Sequence, residues 1–121
     1  ETLAAFSDKP KAVVTSKEVR FTKIILDHFD ITRYFDAIVG GDTTPARKPD
    51  PTPVLEAIRL LNESANDAVM VGDSENDINA GRRAGVQTCG VTFGFRTAEQ
   101  LRESEPNVMI DRFDQLIDVY R

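Results

Sequence analysis

Cysteine, long apolar runs and positive charge are all scarce in this sequence, and each scarcity excludes a class of protein. The single cysteine, Cys89, cannot form an internal disulfide, so a reducing, cytoplasmic location is the expectation. No apolar run approaches the roughly 18 residues of a membrane-spanning helix. Fifteen Lys and Arg residues oppose twenty Asp and Glu residues, and the net charge of −5 argues against nucleic acid or an anionic membrane as a partner. A small anionic substrate would therefore need a local positive site.

The sequence is also short and lacks the usual signs of a native start. Its 121 residues suffice for one modest domain, so residues 1–121 are predicted to form a single core. The N-terminus has no initiator methionine and neither the basic nor the apolar segment of a signal peptide. We expect the chain to be a fragment.

Apolar runs and helical patterns alternate along the chain. Compact apolar runs bounded by turn signals predict strands at residues 12–14, 35–39, 68–71, 88–91 and 108–110, and the first of these is predicted to be buried. Helices are predicted at residues 17–29, at 76–84 and from Phe113 to Tyr120. A further helix is predicted to begin with Asp50 as cap and Pro51 as first position, and a short one with a capping box at 97–100. The helix at 76–84 is predicted to stop at Gly85, with Arg82 and Arg83 on a solvated face. The apolar face of the first helix is predicted to contain Val19, Ile24, Ile25 and Phe29. That of the second is predicted to contain Val54, Leu55, Ile58 and Leu61. This alternation predicts an α/β fold, a three-layer Rossmann-like parallel sheet with helices on both faces.

Polar side chains follow three of the predicted strands. Thr15 and Ser16 leave the first strand, Lys48 lies in the loop after the second, and Asp73 and Asp77 follow the third. Because ligands bind at the carboxyl ends of strands in an open parallel sheet, we expect these groups to share one edge. A hydroxyl, an ammonium and a carboxylate pair can hold a phosphate together with Mg²⁺, which shares phosphate oxygens with its protein ligands. The sequence therefore predicts the outline of a phosphoryl-transfer site.

Each of these groups also has a purely structural explanation. Ser74 and Asp77 satisfy the capping-box pattern, so Asp77 could simply cap a helix. Thr15 and Ser16 after a strand are commonly a turn or cap pair. A lysine such as Lys48, among prolines, is on its own most often solvated. The chemical interpretation therefore depends on the groups occurring together and in this order.

In that order, the motifs resemble those of the haloacid dehalogenase superfamily of hydrolases, most closely its phosphoglycolate phosphatase-like members. Residues 71–81 read Val-Gly-Asp-Ser-x-x-Asp-x-x-Ala-Gly, with a later Ala-Gly at 84–85, and resemble the family's fourth motif. Residues 47–51, Arg-Lys-Pro-Asp-Pro, resemble the segment that holds the third-motif lysine, and residues 13–15 resemble the second motif. Order and spacing agree over nearly the whole chain.

The resemblance implies a role for each site residue. Asp73 would contribute to Mg²⁺ coordination, and Asp77 would support the metal site, often through water. Lys48 would pair with the phosphate and with the nucleophilic carboxylate. The Thr15 hydroxyl would bond a phosphoryl oxygen, with Ser16 beside it in the phosphate-binding segment.

The implied activity is that of a Mg²⁺-dependent phosphatase. It would hydrolyse a small phosphorylated metabolite, phosphoglycolate-like, through an aspartyl-phosphate intermediate. Two alternatives stay open: a non-catalytic Rossmann-like module that binds a phosphorylated ligand or a partner chain, and a mutase or pyrophosphatase relative.

Two departures from the family pattern matter. Relatives often carry Asn-Lys after the second-motif threonine, whereas this chain has Ser16-Lys17. The first motif, Asp-x-Asp-Gly-Thr, which holds the nucleophilic and acid/base aspartates on a central strand, is missing, and so is the cap domain. Without that strand, the strands at 12–14 and 68–71 would keep unpaired edges, which invite self-association. Because the nucleophilic aspartate is missing, the chain by itself is expected to be inactive.

Overall fold

The fold is given by a computed structural model that describes residues 2–92 and 98–120. Within these ranges the chain forms five strands, β1 (Ala12–Val14), β2 (Ala37–Val39), β3 (Val69–Gly72), β4 (Gln87–Val91) and β5 (Val108–Ile110). The helices are α1 (Thr2–Ala5), α2 (Val19–His28), α3 (Thr52–Leu61), α4 (Glu75–Ala84), α5 (Ala98–Glu103) and α6 (Gln115–Tyr120). Short 3₁₀ helices at Thr32–Tyr34 and Ala65–Asp67 precede β2 and β3. The predicted alternation of strands and helices is confirmed.

All strand pairs are parallel, but the sheet is in two parts. β1 pairs with β2, with Ala12 opposite Ala37. The other part has the order β3-β4-β5, and Gly72 of β3 lies opposite Gly90 of β4. No backbone pairing joins β1 to β3 in the part of the chain that the structure describes. The interruption expected between these two strands is therefore present.

The two strands beside the interruption are less buried than β4. β1 is only half-buried along its length, and Val71 of β3 is 36% exposed, whereas the last four residues of β4 are buried. A cavity of about 340 Å³ lies between β1 and β3, with Val14 on one side and Met70 and Val71 on the other. The prediction that β1 is a buried strand is therefore wrong, because one of its edges has no neighbouring strand.

Helices cover both faces of the β3-β4-β5 part. Successive residues of a strand point to opposite faces, so Met70 packs into the core cluster under α3 and α4, and Val69 packs into the cluster on the side of α1 and α6. The buried members of the first cluster are Val54, Ala80, Ala84 and Val86, and those of the second are Cys89, Val91, Ile110 and Leu116. The predicted three-layer architecture is confirmed.

The two predicted apolar helix faces differ from those observed. In α2 the buried residues are Thr22 and Leu26, whereas Ile24 and Phe29 are 63% and 66% exposed. Thr22 and Leu26 are four residues apart and share one side of the helix, and the Thr22 hydroxyl is satisfied because it donates to Glu18 O at 3.0 Å. The small β1–β2 surface covers only this side of α2. In α3 the predicted core residue Leu55 is exposed.

Helix boundaries follow local capping chemistry. α3 begins at Thr52, not at Pro51, and Asp50 Oδ1 accepts hydrogen bonds from the N–H of Thr52 at 2.9 Å and from its hydroxyl at 2.6 Å. These bonds lower the pKa of Asp50. α4 ends at Gly85 as predicted, with a left-handed φ of 83° that suits glycine. The capping box predicted at 97–100 begins outside the described residues.

Among the described helices, none has the length and apolar character needed to cross a bilayer.

Candidate active site

Lys48 connects the end of β1 to the first turn of α4, the helix that follows β3. Its Nζ donates a hydrogen bond to Val14 O at the end of β1, at 3.0 Å, and to Asp77 Oδ1 in the first turn of α4, at 2.5 Å. The Lys48 and Asp77 side chains are 13% and 12% exposed. A mostly buried ion pair is stable only when further hydrogen bonds satisfy its remaining donors and acceptors, as Val14 O does for Lys48. Lys48 is therefore not the solvated lysine that its local sequence suggests.

Asp77 is held on both carboxylate oxygens. Oδ1 accepts from Lys48, and Oδ2 accepts from the Asp73 N–H at 3.2 Å. Ser74 is the N-cap of α4, and its hydroxyl oxygen accepts from the Asp77 N–H at 3.3 Å. Ser74 thus makes its half of the capping box, while the Asp77 carboxylate binds Lys48 and the Asp73 amide. The N-terminus of α4 also favours the negative charge of Asp77.

Gly72 makes room for this arrangement. It is the last residue of β3, and a Cβ atom at this position would lie 2.5 Å from Oδ2 and 2.6 Å from Cγ of Asp77. Real Cβ atoms do not approach other heavy atoms so closely. The glycine is therefore required for the Asp77 carboxylate to reach the Asp73 amide.

Asp73 follows β3 directly and is half-buried. Its carboxylate makes no hydrogen bond or ion pair with the described residues, and it lines the same cavity as Lys48 and Asp77. An unengaged carboxylate beside a cavity suits a hard cation such as Mg²⁺. Within residues 2–92 and 98–120, no group of three or more His, Cys, Asp or Glu side chains is placed to hold a metal. At this edge of the sheet the described residues thus offer one carboxylate that is available for a cation, Asp73, and one that is already engaged, Asp77.

Thr15 and Ser16 lie where β1 ends. The Thr15 N–H donates to Val39 O at 2.9 Å, which continues the β1–β2 ladder, and Thr15 Oγ1 accepts from the Lys17 N–H at 3.2 Å. This is the turn arrangement considered for the pair, and it leaves the Thr15 hydroxyl proton available for a further acceptor. Ser16 is exposed. Within the described residues, neither hydroxyl bonds to Lys48 or to the two aspartates.

Two arginines near the end of α4 make contacts that the sequence does not reveal. The sequence predicts only a solvated helix face for Arg82 and Arg83, and both are exposed. Nevertheless, Arg83 Nη1 donates to Pro49 O at 3.2 Å, and Arg82 Nη1 donates to Ser104 O at 2.9 Å. The acceptors of these two hydrogen bonds are backbone carbonyls, which every residue possesses, so no residue pattern could have predicted them. Arg82 also forms an ion pair with Glu105 at 3.6 Å.

Comparison with known proteins places this arrangement in a family. The family model for haloacid dehalogenase-like hydrolases matches residues 2–91. The chain is 39% identical to a phosphoglycolate phosphatase of Photobacterium profundum, over 100% of this chain and 54% of that protein. It is 40% identical to a phosphoglycolate phosphatase of Psychrobacter arcticus, over 88% of this chain and 46% of that protein. The chain spans about half the length of these curated relatives.

The solved structures agree with this result. A crystal structure described as a predicted phosphoglycolate phosphatase from Haemophilus somnus aligns with a TM-score of 0.91 and 30% identity, over 99% of this chain and 54% of that chain. The resemblance inferred from the three motifs is confirmed. The chain belongs to the haloacid dehalogenase-like hydrolase family.

Proposed function

We propose that the protein is a phosphatase that hydrolyses a phosphomonoester of a small, phosphoglycolate-like metabolite in a reducing cytoplasm. The observation that carries this proposal is the junction of Lys48 with Val14 O and Asp77, beside the unengaged carboxylate of Asp73. Phosphoryl transfer depends mainly on positioning and on neutralising charge at the phosphoryl oxygens. The relatives named phosphoglycolate phosphatase support this choice of substrate.

The residues of this chain would act on the phosphoryl group from one side. The Lys48 ammonium would neutralise charge on a phosphoryl oxygen, and the Thr15 hydroxyl would donate to another, with Ser16 at the rim. Asp73 would hold Mg²⁺, and Asp77, already bound on both oxygens, would support it through water. When bound, Mg²⁺ supplies positive charge next to the transferring group.

The reacting carboxylate would come from a strand inserted between β1 and β3. Each of the two strands belongs to a parallel ladder and, within the described residues, has one edge without a partner strand. Lys48 and Asp73 line the cavity between them. An aspartate at the carboxyl end of the inserted strand would attack phosphorus, and the bond from phosphorus to the leaving oxygen would break. Water would then hydrolyse the acyl phosphate and release inorganic phosphate. In this proposal residues 1–121 are part of a single core domain.

The role of Asp73 is tested by Asp73→Asn in the protein at its natural length. The neutral amide is a weaker ligand for a hard cation, so kcat/KM for phosphoglycolate should fall by about 100-fold or more, and half-maximal activity should require more Mg²⁺. Phosphate release measured over a Mg²⁺ titration reports both kcat/KM and the Mg²⁺ concentration at half-maximal activity. Asp67→Asn, an exposed aspartate just before β3, is the matched control. An unchanged Mg²⁺ dependence in Asp73→Asn would contradict the assignment.

Residues 1–121 on their own should be inactive and should self-associate. The chain would lack the inserted strand, so no phosphate should be released from phosphoglycolate with Mg²⁺. The free edges of β1 and β3 should pair with other copies, which sedimentation would show as a mass that rises with protein concentration. A monomeric, cooperatively unfolding sample of 121 residues would contradict the inserted strand. If residues 1–121 alone did release phosphate, and Asp73→Asn abolished that activity, the nucleophile would have to lie within these residues.

A further inference from the structure

Arg83 connects α4 to the loop that carries Lys48, and we propose that it is a positioning residue for Lys48. Arg83 Nη1 donates to the carbonyl oxygen of Pro49, the residue after Lys48, at 3.2 Å. Lys48 itself is bound by Asp77 at the beginning of the same helix. α4 therefore contacts two successive residues of the loop, one from its first turn and one from its last. This inference rests on the proposed role of Lys48.

The loop needs such contacts because it is long. Residues 40–51 connect β2 to α3 without a strand or helix of their own. The early part of the loop is attached to α2, where Asp42 Oδ1 accepts from the Val19 N–H at 3.0 Å. The later part is attached to the rest of the protein through the bonds of Lys48 and through the bond from Arg83 to Pro49. Asp50 adds the two bonds that it accepts from Thr52 at the start of α3, and Arg83 is the residue that bonds directly to Pro49, next to Lys48.

α4 is a rigid support for both contacts. A Cβ atom on Gly81 would lie 2.8 Å from Cβ of Met70, so the helix packs closely against β3. Its residues Ile78 and Ala80 are fully buried. Asp77 and Arg83 are six positions apart, which corresponds to about 9 Å along a helix axis. Two contacts with this separation on one rigid element restrict both the position and the direction of the loop at Lys48.

The electrostatic environment agrees with this contact. The pKa of Asp50 is lowered, mainly by the hydrogen bonds from Thr52 and in part by the positive charge of Arg83. Arg83 is exposed, and among the described residues it makes no hydrogen bond or ion pair with a residue that we assign to the phosphate or the metal. Its effect on the reaction must therefore pass through the position of Lys48.

The test compares Arg83→Ala with Arg82→Ala in the protein at its natural length. Displacing a catalytic group by about 1 Å can cost about 100-fold, and the loss of one exposed contact should displace Lys48 by less, so we expect kcat/KM for phosphoglycolate to fall about tenfold in Arg83→Ala. The loss should lie mainly in kcat, because Lys48 is assigned to charge that develops in the transition state. Arg83→Lys keeps a donor and the charge and should recover most of the activity.

Arg82→Ala is the matched control. Arg82 is the neighbouring residue and is exposed on the same helix turn. It donates to Ser104 O and forms an exposed ion pair with Glu105, and neither partner is in the loop. Its kcat/KM should stay within about twofold of the unmodified protein, and its thermal unfolding midpoint should match that of Arg83→Ala within about 2 °C.

Two results would overturn the inference. One is a kcat/KM of Arg83→Ala equal to that of Arg82→Ala. The other is a loss in Arg83→Ala that Arg83→Lys does not restore and that comes with a much lower unfolding midpoint, which would show a purely structural role. Lys48→Ala separates this inference from the proposed function: retained activity there would overturn the function itself. If Lys48→Ala lost its activity while Arg83→Ala kept full activity, only the role of Arg83 would be overturned.

Discussion

Lys48→Met should lower the free energy of unfolding by about 3 kcal/mol, because it leaves a buried carboxylate without its cation. The Asp77 side chain is 12% exposed, and its Oδ1 lies 2.5 Å from Lys48 Nζ. Removing the lysine also frees Val14 O, which accepts from the same ammonium. Urea unfolding of the protein at its natural length measures the change. The same substitution should abolish phosphatase activity.

The double substitution Lys48→Met with Asp77→Leu separates stability from activity. Replacing both members of a buried ion pair with apolar side chains is often neutral, so the double variant should regain most of the lost stability while remaining inactive. The pair of Arg59 and Glu56, at 2.7 Å, provides the control because it is more exposed, with Arg59 at 69% and Glu56 at 24%. Arg59→Met should change stability much less, because exposed pairs contribute little. A Lys48→Met variant as stable as Arg59→Met would contradict the buried ion pair.

Gly72→Ala should also destabilise the protein by about 3 kcal/mol, although it adds only one methyl group. That group would lie 2.5 Å from Asp77 Oδ2. Asp77 cannot move away without weakening its bonds to Lys48 and to the Asp73 amide. Activity should fall with stability, since the same shift displaces Lys48. Thermal or urea unfolding, with phosphate release on the remaining folded protein, measures both effects.

Gly90→Ala is the matched control for this substitution. Gly90 lies directly opposite Gly72 in the β3–β4 ladder, but the nearest atoms to a Cβ there are in Pro106, at 3.5 Å, and Met109, at 3.7 Å. These are ordinary contacts, so the change should stay within about 1 kcal/mol. Equal losses in Gly72→Ala and Gly90→Ala would show that the approach of Asp77 to Gly72 is not the cause.

The sequence predicted those features of the fold that local chemistry decides. The apolar runs located the strands, and the glycine at position 85 located the end of α4. The sequence also selected Lys48 and Asp77, which are 29 positions apart, because the carboxyl ends of parallel strands share one edge. That these two residues bind each other directly was not predicted, since it depends on the path of the loop between β2 and α3.

Other features depend on the surroundings of an element and not on its own pattern. The spacing of Ile24 and Phe29 could not show that α2 would pack through Thr22 and Leu26, because the small β1–β2 surface decides which side is covered. The contact of Arg83 was not predictable either, since its acceptor is a backbone carbonyl. Burial of β1 was overestimated because the pattern of a strand does not reveal whether both of its edges are paired.

On the proposed function, the interruption between β1 and β3 would make residues 1–121 suitable as one half of a split enzyme. The groups that would neutralise phosphate charge lie on this polypeptide, while the proposed reacting carboxylate would enter on a separate strand that needs only backbone pairing to be held. If that strand were supplied as a free peptide, turnover would follow the occupancy of the cavity. Tethering the peptide would raise its effective concentration to about the millimolar range and would convert the enzyme into a reporter of proximity.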